Sequence, residues 1–410
     1  MRKLTIVFFE AGGGHRNAAD ALKTALETQQ NPWQIDLLNI QELLDSLDVV
    51  RNTTGLRLQD VYNLILRKGW TRLTPQLLVL LQAVIRLYHS RTVRALQQYW
   101  DNNHTDLVLS VIPHFNRALA ESLVSLQIPF VTLLTDLADY PPHFWIERES
   151  QYIICGTDRA RQQAMSMGHS QKYVFKTSGM VLKPSFYMKP EIERFSARWL
   201  SEKKKVGLDA DLPTGVVLFG GHASPAMIDI AQLLDDSGNK VQLIMLCGHN
   251  ESLAAELRRM RPQRPMLVEG FTTRVDYFMS LADFFIGKPG PGCISEALQF
   301  DLPLVVECNA RTLPQERYNA EWLRKNRLGI VLKNFSEIAY GVSTLLDPSS
   351  FQEFRRNAQN YRNSALLDAP AILNQIFEHG VPYSTPAATR AAILDWSGSF
   401  PQGQLSDVHQ

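Results

Sequence analysis

Short apolar runs alternate along the chain with stretches in which apolar residues recur every three or four positions. The runs predict strands and the stretches predict helices, so the chain is predicted to form α/β units around parallel sheets. The helix after the first strand carries Ala18, Leu22 and Leu26 on one face. The predicted strands are 4–9, 34–38, 107–111, 130–134 and 152–155 in the first half, and 216–219, 241–246, 266–268, 284–286, 304–306 and 330–332 in the second.

The two series of strands are separated by a segment that loses the pattern. Residues 185–213 are charged, with Lys203-Lys204-Lys205, and end near Pro213, which is typical of an interdomain linker. We therefore predict an N-terminal Rossmann-like domain over 1–205, a C-terminal one over 206–380 and a polar tail over 381–410. A length of 410 residues, 45% of them hydrophobic, suits two cores of this size.

Composition excludes several classes of protein. A formal net charge of +1 argues against a globally basic nucleic-acid binder. The four cysteines show no short pair spacing, which argues against a zinc site or a disulfide framework. The one Asp-x-Asp, Asp209-Ala210-Asp211, precedes a predicted strand instead of following one, so we expect no metal there.

Two apolar segments bear on location. The N-terminus enters the strand 4–9 directly, without the longer apolar stretch of a signal peptide. The run 77–87 is interrupted by Gln82 and Arg86, which makes it too short and too polar to span a bilayer. We expect a cytoplasmic protein.

A first glycine loop, Gly12-Gly13-Gly14, lies between strand one and helix one and is followed by His15. Glycines let the backbone approach a ligand closely, and a histidine in such a loop suits a general base. An ordinary tight turn would explain the glycines equally well. In a dinucleotide site Asp36 would meet the ribose, but Asn17 stands where the third glycine belongs and Asp36 is predicted in mid-strand.

A second glycine loop, Gly290-Pro291-Gly292-Cys293, precedes a helix that carries Glu296. Free N–H groups at that helix start suit a diphosphate. Glu296 is expected in the first turn, where its carboxylate could accept both hydroxyls of a ribose. Its alternative there is a helix-start acid that complements the dipole.

Further polar groups follow other predicted strands. Gln315, Glu316 and Asn319 open a helix and could bind sugar hydroxyls, although an ordinary polar helix start looks the same. His114, Asp136 and Gly221 follow strands directly. Ligands in open α/β sheets bind at the carboxyl ends of strands, so these residues indicate one cleft.

Together these motifs resemble the monogalactosyldiacylglycerol synthase family. More distantly they resemble the peptidoglycan N-acetylglucosaminyltransferase and the diglucosyldiacylglycerol synthases. The resemblance runs in order from about residue 4 to residue 333. The matching segments are Gly12-Gly13-Gly14-His15-Arg16, Leu134-Thr135-Asp136-Leu137, Leu218-Phe219-Gly220-Gly221, Leu246-Cys247-Gly248-His249-Asn250, Gly290-Pro291-Gly292-Cys293-Ile294-Ser295-Glu296-Ala297-Leu298, and Gln315-Glu316 with Asn319.

The resemblance implies a GT-B fold, with two Rossmann-like domains facing a cleft, and an inverting transfer of hexose from a UDP-sugar to a lipid hydroxyl. It implies diacylglycerol as the first candidate acceptor and neither metal nor other cofactor. The implied roles are base for His15, ribose contact for Glu296, and hexose contacts for Gln315 and Glu316, with Asn319 also on the donor side. Gly221, the segment Gly290-Pro291-Gly292-Cys293, and Gly270-Phe271-Thr272 beside the uracil complete the donor side, while Gly12, Gly13, Gly14, His114 and Asp136 lie on the acceptor side.

Four departures from the family pattern leave the sugar and the acceptor open. Gly221 is followed by His222-Ala223-Ser224 where the family has a third glycine and then a glutamate. Gly287-Lys288-Pro289 replaces Thr-Lys-Ala, Pro113-His114 inverts His-Pro, and Pro314 replaces glycine. Two other functions therefore stay open, an NAD(P)-dependent oxidoreductase and a non-catalytic nucleotide- or lipid-binding relative.

The segment 61–100 contains six basic residues and no Asp or Glu. Aromatic residues and the apolar run lie among them, which suits an amphipathic segment at an anionic membrane surface. A helical hairpin with a solvated basic face is the alternative. The first interpretation predicts a peripheral protein at the inner face of the membrane. The basic residues are Arg67, Lys68, Arg72, Arg86, Arg91 and Arg94, and the aromatic ones include Trp70, Tyr88 and Trp100.

Overall fold

The computed structural model describes residues 2–10, 14–29, 32–44, 74–140, 143–188 and 192–382. Gly12, Gly13, the predicted basic residues 67, 68 and 72, and the tail from 383 lie outside the described residues. Within them, two sheets of six parallel strands each carry helices, as the sequence predicts.

The first sheet has the strand order β2-β1-β3-β4-β5-β6. Leu4 of β1 pairs with Ile35 of β2 on one side and Leu107 of β3 on the other. Its helices cover both faces, which explains why the central strands are almost continuously apolar. The strands are Lys3–Phe8, Gln34–Asn39, Leu107–Ser110, Phe130–Leu133, Tyr152–Cys155 and Val174–Lys176, and the helices α1 to α5 are Gly14–Glu27, Ile40–Leu44, Thr74–Asn102, Asn116–Leu123 and Asp158–Ser166.

The second sheet has the order β12-β11-β10-β7-β8-β9. The strands β7 to β12 are Thr214–Leu218, Gln242–Leu246, Met266–Glu269, Phe284–Gly287, Leu304–Glu307 and Gly329–Leu332. The helices α6 to α14 are Ala197–Lys205, Ala226–Asp236, Glu251–Arg259, Val275–Leu281, Pro291–Gln299, Pro314–Lys325, Ile338–Leu345, Pro348–Asn360 and Ala365–His379. All eleven strands that the sequence predicts are present, and β6 is added.

The predicted linker packs against the second core. Trp199 of α6 lies in the second core and donates its indole N–H to Ser280 O at 3.0 Å. Lys203, from the lysine run, is fully buried and donates to Leu212 O at 3.1 Å. Its ammonium lies 3.9 Å from the carboxylate of Asp283. A buried lysine needs such partners, so the charge run is part of the core boundary.

The last helix returns to the first sheet. Leu366, Leu373 and Ile376 of α14 are buried in the first core, with Arg2 donating to Asn374 at 3.0 Å. The chain therefore passes between the two cores a second time near 361–364. This second crossing lies beside the segment near Met180 by which the chain first leaves the first sheet, because Asn363 donates to Met180 O at 2.8 Å. The predicted domain bounds at 205 and 380 stay a prediction.

Candidate active site

The carboxyl ends of β1, β3 and β4 bring the predicted residues of the first half together. His15 occupies the second position of α1, directly behind the first glycine loop. Its Nδ1 lies 2.8 Å from Val111 O and 3.1 Å from Thr135 Oγ1. The His114 ring is close enough for the two histidines to interact electrostatically.

The neighbours of His15 determine its protonation. A backbone carbonyl only accepts hydrogen bonds, so the Val111 contact favours the tautomer of the neutral ring with its hydrogen on Nδ1. Nε2 then keeps its lone pair. Burial lowers the pKa of His15 to about 4, despite the opposing hydrogen bond to Val111. The ring therefore stays neutral at pH 7 and can accept a proton at Nε2.

His114 adopts an uncommon backbone conformation. Its φ is 71°, in the left-handed region that non-glycine residues rarely occupy. The backbone N–H of His114 donates to Phe144 O at 2.8 Å, and the two rings meet edge to face at 4.2 Å. Burial, together with the nearby His15, lowers the pKa of His114 to about 4. Observed strain at a strand end is a common feature of functional sites.

Asp136 is held by an indole. Trp145 Nε1 donates to Asp136 Oδ2 at 2.8 Å, and burial raises the pKa of this carboxyl to about 7. The turn that carries Trp145 is organised by Asp139, whose carboxylate accepts the backbone N–H of Trp145 at 2.7 Å and that of Phe144 at 3.0 Å. Sequence reasoning missed both residues. An aspartate shortly before the Pro141-Pro142 pair was the available signal.

On the second sheet, the loops after β7 and β8 pack backbone against backbone. A Cβ added to Gly248, which has φ of 53°, would lie 2.2 Å from Gly221 O. His249 N donates to that same oxygen at 2.9 Å. Only glycine fits at Gly248, so the loop that contains the predicted Gly221 has a fixed path.

The start of α10 presents free N–H groups. Gly290 is its N-cap and provides no side-chain hydrogen bond, and Pro291 follows as the first helical residue. The N–H groups of Gly292 and Cys293 are therefore left for another acceptor, and a Cβ on Gly292 would meet open space. The positive helix end and these N–H groups suit a diphosphate.

Glu296 lies in the second turn of α10, so its predicted position in the first turn is wrong. The helix already begins at Pro291, which makes Glu296 the sixth residue. Interaction with the helix dipole is confined to the first turn, so the alternative role as a helix-start acid also loses its basis. Burial raises the pKa of Glu296 to about 7, opposed by Lys183.

The predicted sugar contacts lie on α11. Glu316 is buried, and its Oε1 lies 2.8 Å from Lys288 Nζ. Asn319 donates to Pro289 O at 2.8 Å. Among the described residues, the buried oxygens Gln315 Oε1 and Asn319 Oδ1 have no hydrogen-bond partner. Such unsatisfied acceptors suit the hydroxyl groups of a ligand.

Lys288 is a further residue of this cleft, and the sequence alone assigned it no role. Its Cε lies 3.8 Å from the Cβ position of Gly220 and 3.4 Å from that of Gly290, so its side chain lies between the two glycine loops. The position of the Lys288 side chain depends on the packing of the loop after β7 against the loop after β10, which the sequence does not show.

The two sets of residues face each other. Glu316 raises and Lys288 lowers the pKa of Asp136, which places both second-sheet residues within electrostatic reach of the first sheet. Tyr140 and Tyr318 also meet, with ring centroids 5.6 Å apart. Both strand edges thus line one cleft.

An exposed aromatic surface lies further along the second sheet. Phe271 is 60% exposed, and its ring stacks on that of His249 with centroids 4.2 Å apart. The adjacent Thr272 accepts the backbone N–H of Arg274 at 3.0 Å. A flat aromatic face suits a nucleobase.

No family model matches the chain. A probable monogalactosyldiacylglycerol synthase of Glycine max is 27% identical over 384 residues, covering 90% of this chain and 69% of that protein. The monogalactosyldiacylglycerol synthase of Spinacia oleracea is 26% identical over 409 residues, covering 90% of this chain and 70% of that protein. Solved structures show the same architecture at lower identity.

MurG of Acinetobacter baumannii matches with a TM-score of 0.59 and 13% identity, covering 92% of this chain and 100% of that one. The chain has the GT-B fold and is a homologue of the monogalactosyldiacylglycerol synthases. A putative UDP-N-acetylglucosamine 2-epimerase of Listeria monocytogenes gives a TM-score of 0.58 at 14% identity, covering 93% and 98%. HepE of Anabaena in complex with UDP gives 0.53 at 13%, covering 92% and 100%.

The altered loop of this synthase homologue has a distinct conformation. Ala223, where the family pattern is broken, has φ of 54° and so pays the cost of a left-handed non-glycine residue. The His222 ring lies 6.2 Å from that of His249, which stacks on Phe271. The departure from the family pattern thus lies next to the exposed Phe271 ring, where the resemblance implies the uracil.

A cavity of about 710 Å³ lies beside this loop, flanked by Phe219 and Ser224. Asp229, Arg311 and Lys333 contribute charged groups of both signs to its wall. None of the predicted site residues lines this cavity. The candidate active site is therefore identified by the polar side chains that meet in the cleft, and not by the volume of a cavity.

Two aspartates that a dinucleotide site or a metal site would need make local contacts instead. Asp36 lies within β2 and pairs with Lys3 at 2.8 Å, away from the strand end where a dinucleotide ribose would be bound. Asp209 Oδ1 accepts the backbone N–H of Asp211 at 2.9 Å, a turn contact. In the described ranges no group of three or more His, Cys, Asp or Glu residues could hold a metal.

Proposed function

We propose that the protein is an inverting glycosyltransferase that moves a hexose from a UDP-sugar to a lipid hydroxyl, with diacylglycerol as the first candidate acceptor. The observation that carries this proposal is that one cleft contains both a neutral histidine and a helix N-terminus that has no side-chain cap. His15 offers the base, and α10 offers free N–H groups for a diphosphate. The names of the curated relatives support the sugar and lipid, and the UDP complex of HepE supports the nucleotide.

The reaction is a direct displacement at the anomeric carbon. His15 Nε2 takes the proton of the acceptor hydroxyl while its oxygen forms the new bond to that carbon. The bond from the carbon to the diphosphate oxygen breaks, and UDP leaves. The N–H groups of Gly292 and Cys293 stabilise the charge that develops on the leaving oxygen. Attack opposite the leaving group inverts the configuration.

Fold alone does not decide between reactions of UDP-sugars, because the neighbour from Listeria is described as an epimerase. The test is a panel of UDP-galactose, UDP-glucose and UDP-N-acetylglucosamine, each incubated with diacylglycerol vesicles or a total lipid extract. Mass spectrometry identifies the glycolipid, and NMR of its anomeric proton reports inversion. Conversion of the sugar nucleotide without acceptor would favour epimerisation, and no product from any donor would contradict the proposal.

We expect chelation to leave turnover within about twofold of the untreated rate, because a helix N-terminus can stabilise a diphosphate without a metal. The measurement is initial glycolipid formation in EDTA, with a metal-dependent transferase as the positive control. Complete loss of activity that magnesium restores would contradict this expectation.

Replacing Glu296 by glutamine is expected to weaken UDP binding by about 1.5–3 kcal/mol, the cost of losing hydrogen bonds to a charged group. This corresponds to a Kd that is roughly 10- to 150-fold higher in calorimetry. Glu256→Gln, an exposed glutamate on α8, is the matched control and should bind UDP normally.

The same carboxylate gives the affinity for UDP a pH dependence. The pKa of Glu296 is raised to about 7, so the charged form that accepts ribose hydroxyls is lost as the pH falls through 7. UDP binding by wild type should therefore weaken between pH 8 and 6 more than binding by Glu296→Gln does. The titration of the nucleotide itself is common to both proteins and cancels. Equal affinities at every pH would leave Glu296 without a ribose contact.

A further inference from the structure

His15 has a second polar neighbour at Nδ1 besides the Val111 carbonyl. Thr135 Oγ1 lies 3.1 Å from that nitrogen. Both contacts are set by neighbouring strands of the first sheet, because Val111 follows β3 and Thr135 lies just beyond β4. The backbone of this edge is fixed, with Val111 N donating to Val7 O at 3.0 Å and Leu134 N to Ile154 O at 2.9 Å.

We propose that Thr135 is a positioning residue for His15, whose Nδ1–H is shared between the threonine hydroxyl and the Val111 carbonyl. This inference rests on the proposed transfer reaction. With two oxygens on Nδ1, the hydrogen stays on that nitrogen and the ring cannot turn about its Cβ–Cγ bond without losing both contacts. Nε2 is thereby kept unprotonated and aimed at the acceptor.

The same pair of oxygens acts again after proton transfer. When Nε2 takes the acceptor proton, the ring becomes an imidazolium, which many enzymes stabilise with a carboxylate on the other nitrogen. In the described part of this chain no carboxylate contacts His15 Nδ1, and the nearby Asp136 is bound to Trp145. The carbonyl and hydroxyl dipoles of Val111 and Thr135 therefore take that role. Once the glycolipid and UDP leave, the proton passes from Nε2 to water.

The decisive variant is Thr135→Val, which removes the hydroxyl and keeps the shape of the side chain. We expect kcat to fall about tenfold, with KM for both substrates and Kd for UDP within about twofold. Thr135→Ser restores the oxygen and should recover most of kcat. If the valine variant does not fold, Thr135→Ala removes the same oxygen.

One further measurement and a control variant distinguish a positioning role of the Thr135 hydroxyl from a merely structural one. Long-range ¹H–¹⁵N NMR of the histidine rings should show His15 as the Nδ1–H tautomer in wild type. In Thr135→Val one of the two oxygens on Nδ1 is lost, so we expect a measurable share of the Nε2–H tautomer beside the Nδ1–H form that Val111 still favours. The control is Thr132→Val, whose hydroxyl donates to Gln151 at 2.6 Å and not to His15. It should lower Tm while leaving kcat and the tautomer unchanged.

Normal kcat and an unchanged tautomer in Thr135→Val would overturn the inference, as would a loss that Thr135→Ser does not recover. This result is distinct from failure of the proposed function. If wild type transfers no sugar to any lipid, the transfer reaction is wrong, whereas the NMR comparison still tests the contact between Thr135 and His15.

Discussion

Replacing His15 by alanine is expected to lower kcat by about 10²- to 10⁴-fold and to leave the affinity for UDP within about twofold. The base acts on the acceptor hydroxyl, whereas the nucleotide contacts belong to the second sheet, so the two measurements should separate. Glycolipid formation followed by mass spectrometry gives kcat, and calorimetry with UDP gives the affinity.

Two comparisons sharpen this experiment. His104→Ala removes an exposed histidine next to Asp106 and should have no effect on either quantity. In wild type, the pKa of His15 near 4 means that the free base is present throughout pH 5 to 8 and is lost only as the pH approaches 4. His15 should therefore give no acid limb to kcat/KM between pH 6 and 8. Near-normal turnover by His15→Ala would remove this residue from the role of base.

The strands could be predicted because a parallel strand with helices on both faces of its sheet is buried on both sides, and its sequence is therefore a continuous apolar run. β6 was missed since Val174–Lys176 is only three residues long and buries one of them fully. Hydrophobic pattern also does not state which core a helix joins. The apolar face of α14, which follows the last strand of the second sheet, packs against the first sheet.

The burial of Lys203 could not be predicted for a different reason. A run of three lysines is usually solvated, and nothing in the local sequence announces that Asp283, far along the chain, lies near the Lys203 ammonium. Partners separated by some 80 positions are set by tertiary structure, which outweighs local composition.

In the candidate site too, some positions could be predicted from the sequence and others required the structure. That His114 and Asp136 would lie together follows from the topology of a parallel sheet, because β3 and β4 end at the same edge. Gly221 follows β7 of the second sheet, whose edge faces the first across the cleft. The side chains that hold them come from irregular loops, where Trp145 binds Asp136 and Lys288 binds Glu316. Loop conformation is not encoded in any periodicity, so these contacts required the structure.

The first half of the chain also contains the basic segment for which a membrane interaction is predicted. In the described part of the chain no helix combines the length and apolarity needed to cross a bilayer. On α3, Leu87 is 79% exposed, and Arg91 and Arg94 lie four and seven positions further along, on the same exposed face. Thr92 and Leu96 on the opposite face are buried. Arg86 of α3 is also exposed, while Arg67, Lys68 and Arg72 fall outside the described residues.

Changing Arg86, Arg91 and Arg94 together to glutamate is expected to weaken binding to anionic vesicles by roughly 100-fold, since each arginine near such a surface contributes about 1 kcal/mol. The measurement is sedimentation with vesicles of phosphatidylcholine alone and with phosphatidylglycerol added, at low and high salt. A variant with Arg259, Arg264 and Arg324 changed to glutamate has the same net charge but alters the second half of the chain, and it should bind as wild type does. A lipid acceptor stays in the bilayer, so loss of attachment should lower the rate on vesicles and spare the rate on a short-chain, dispersed diacylglycerol. If the α3 variant and the control bind equally well, the basic face of α3 is only solvated, and the acceptor must be reached by another surface.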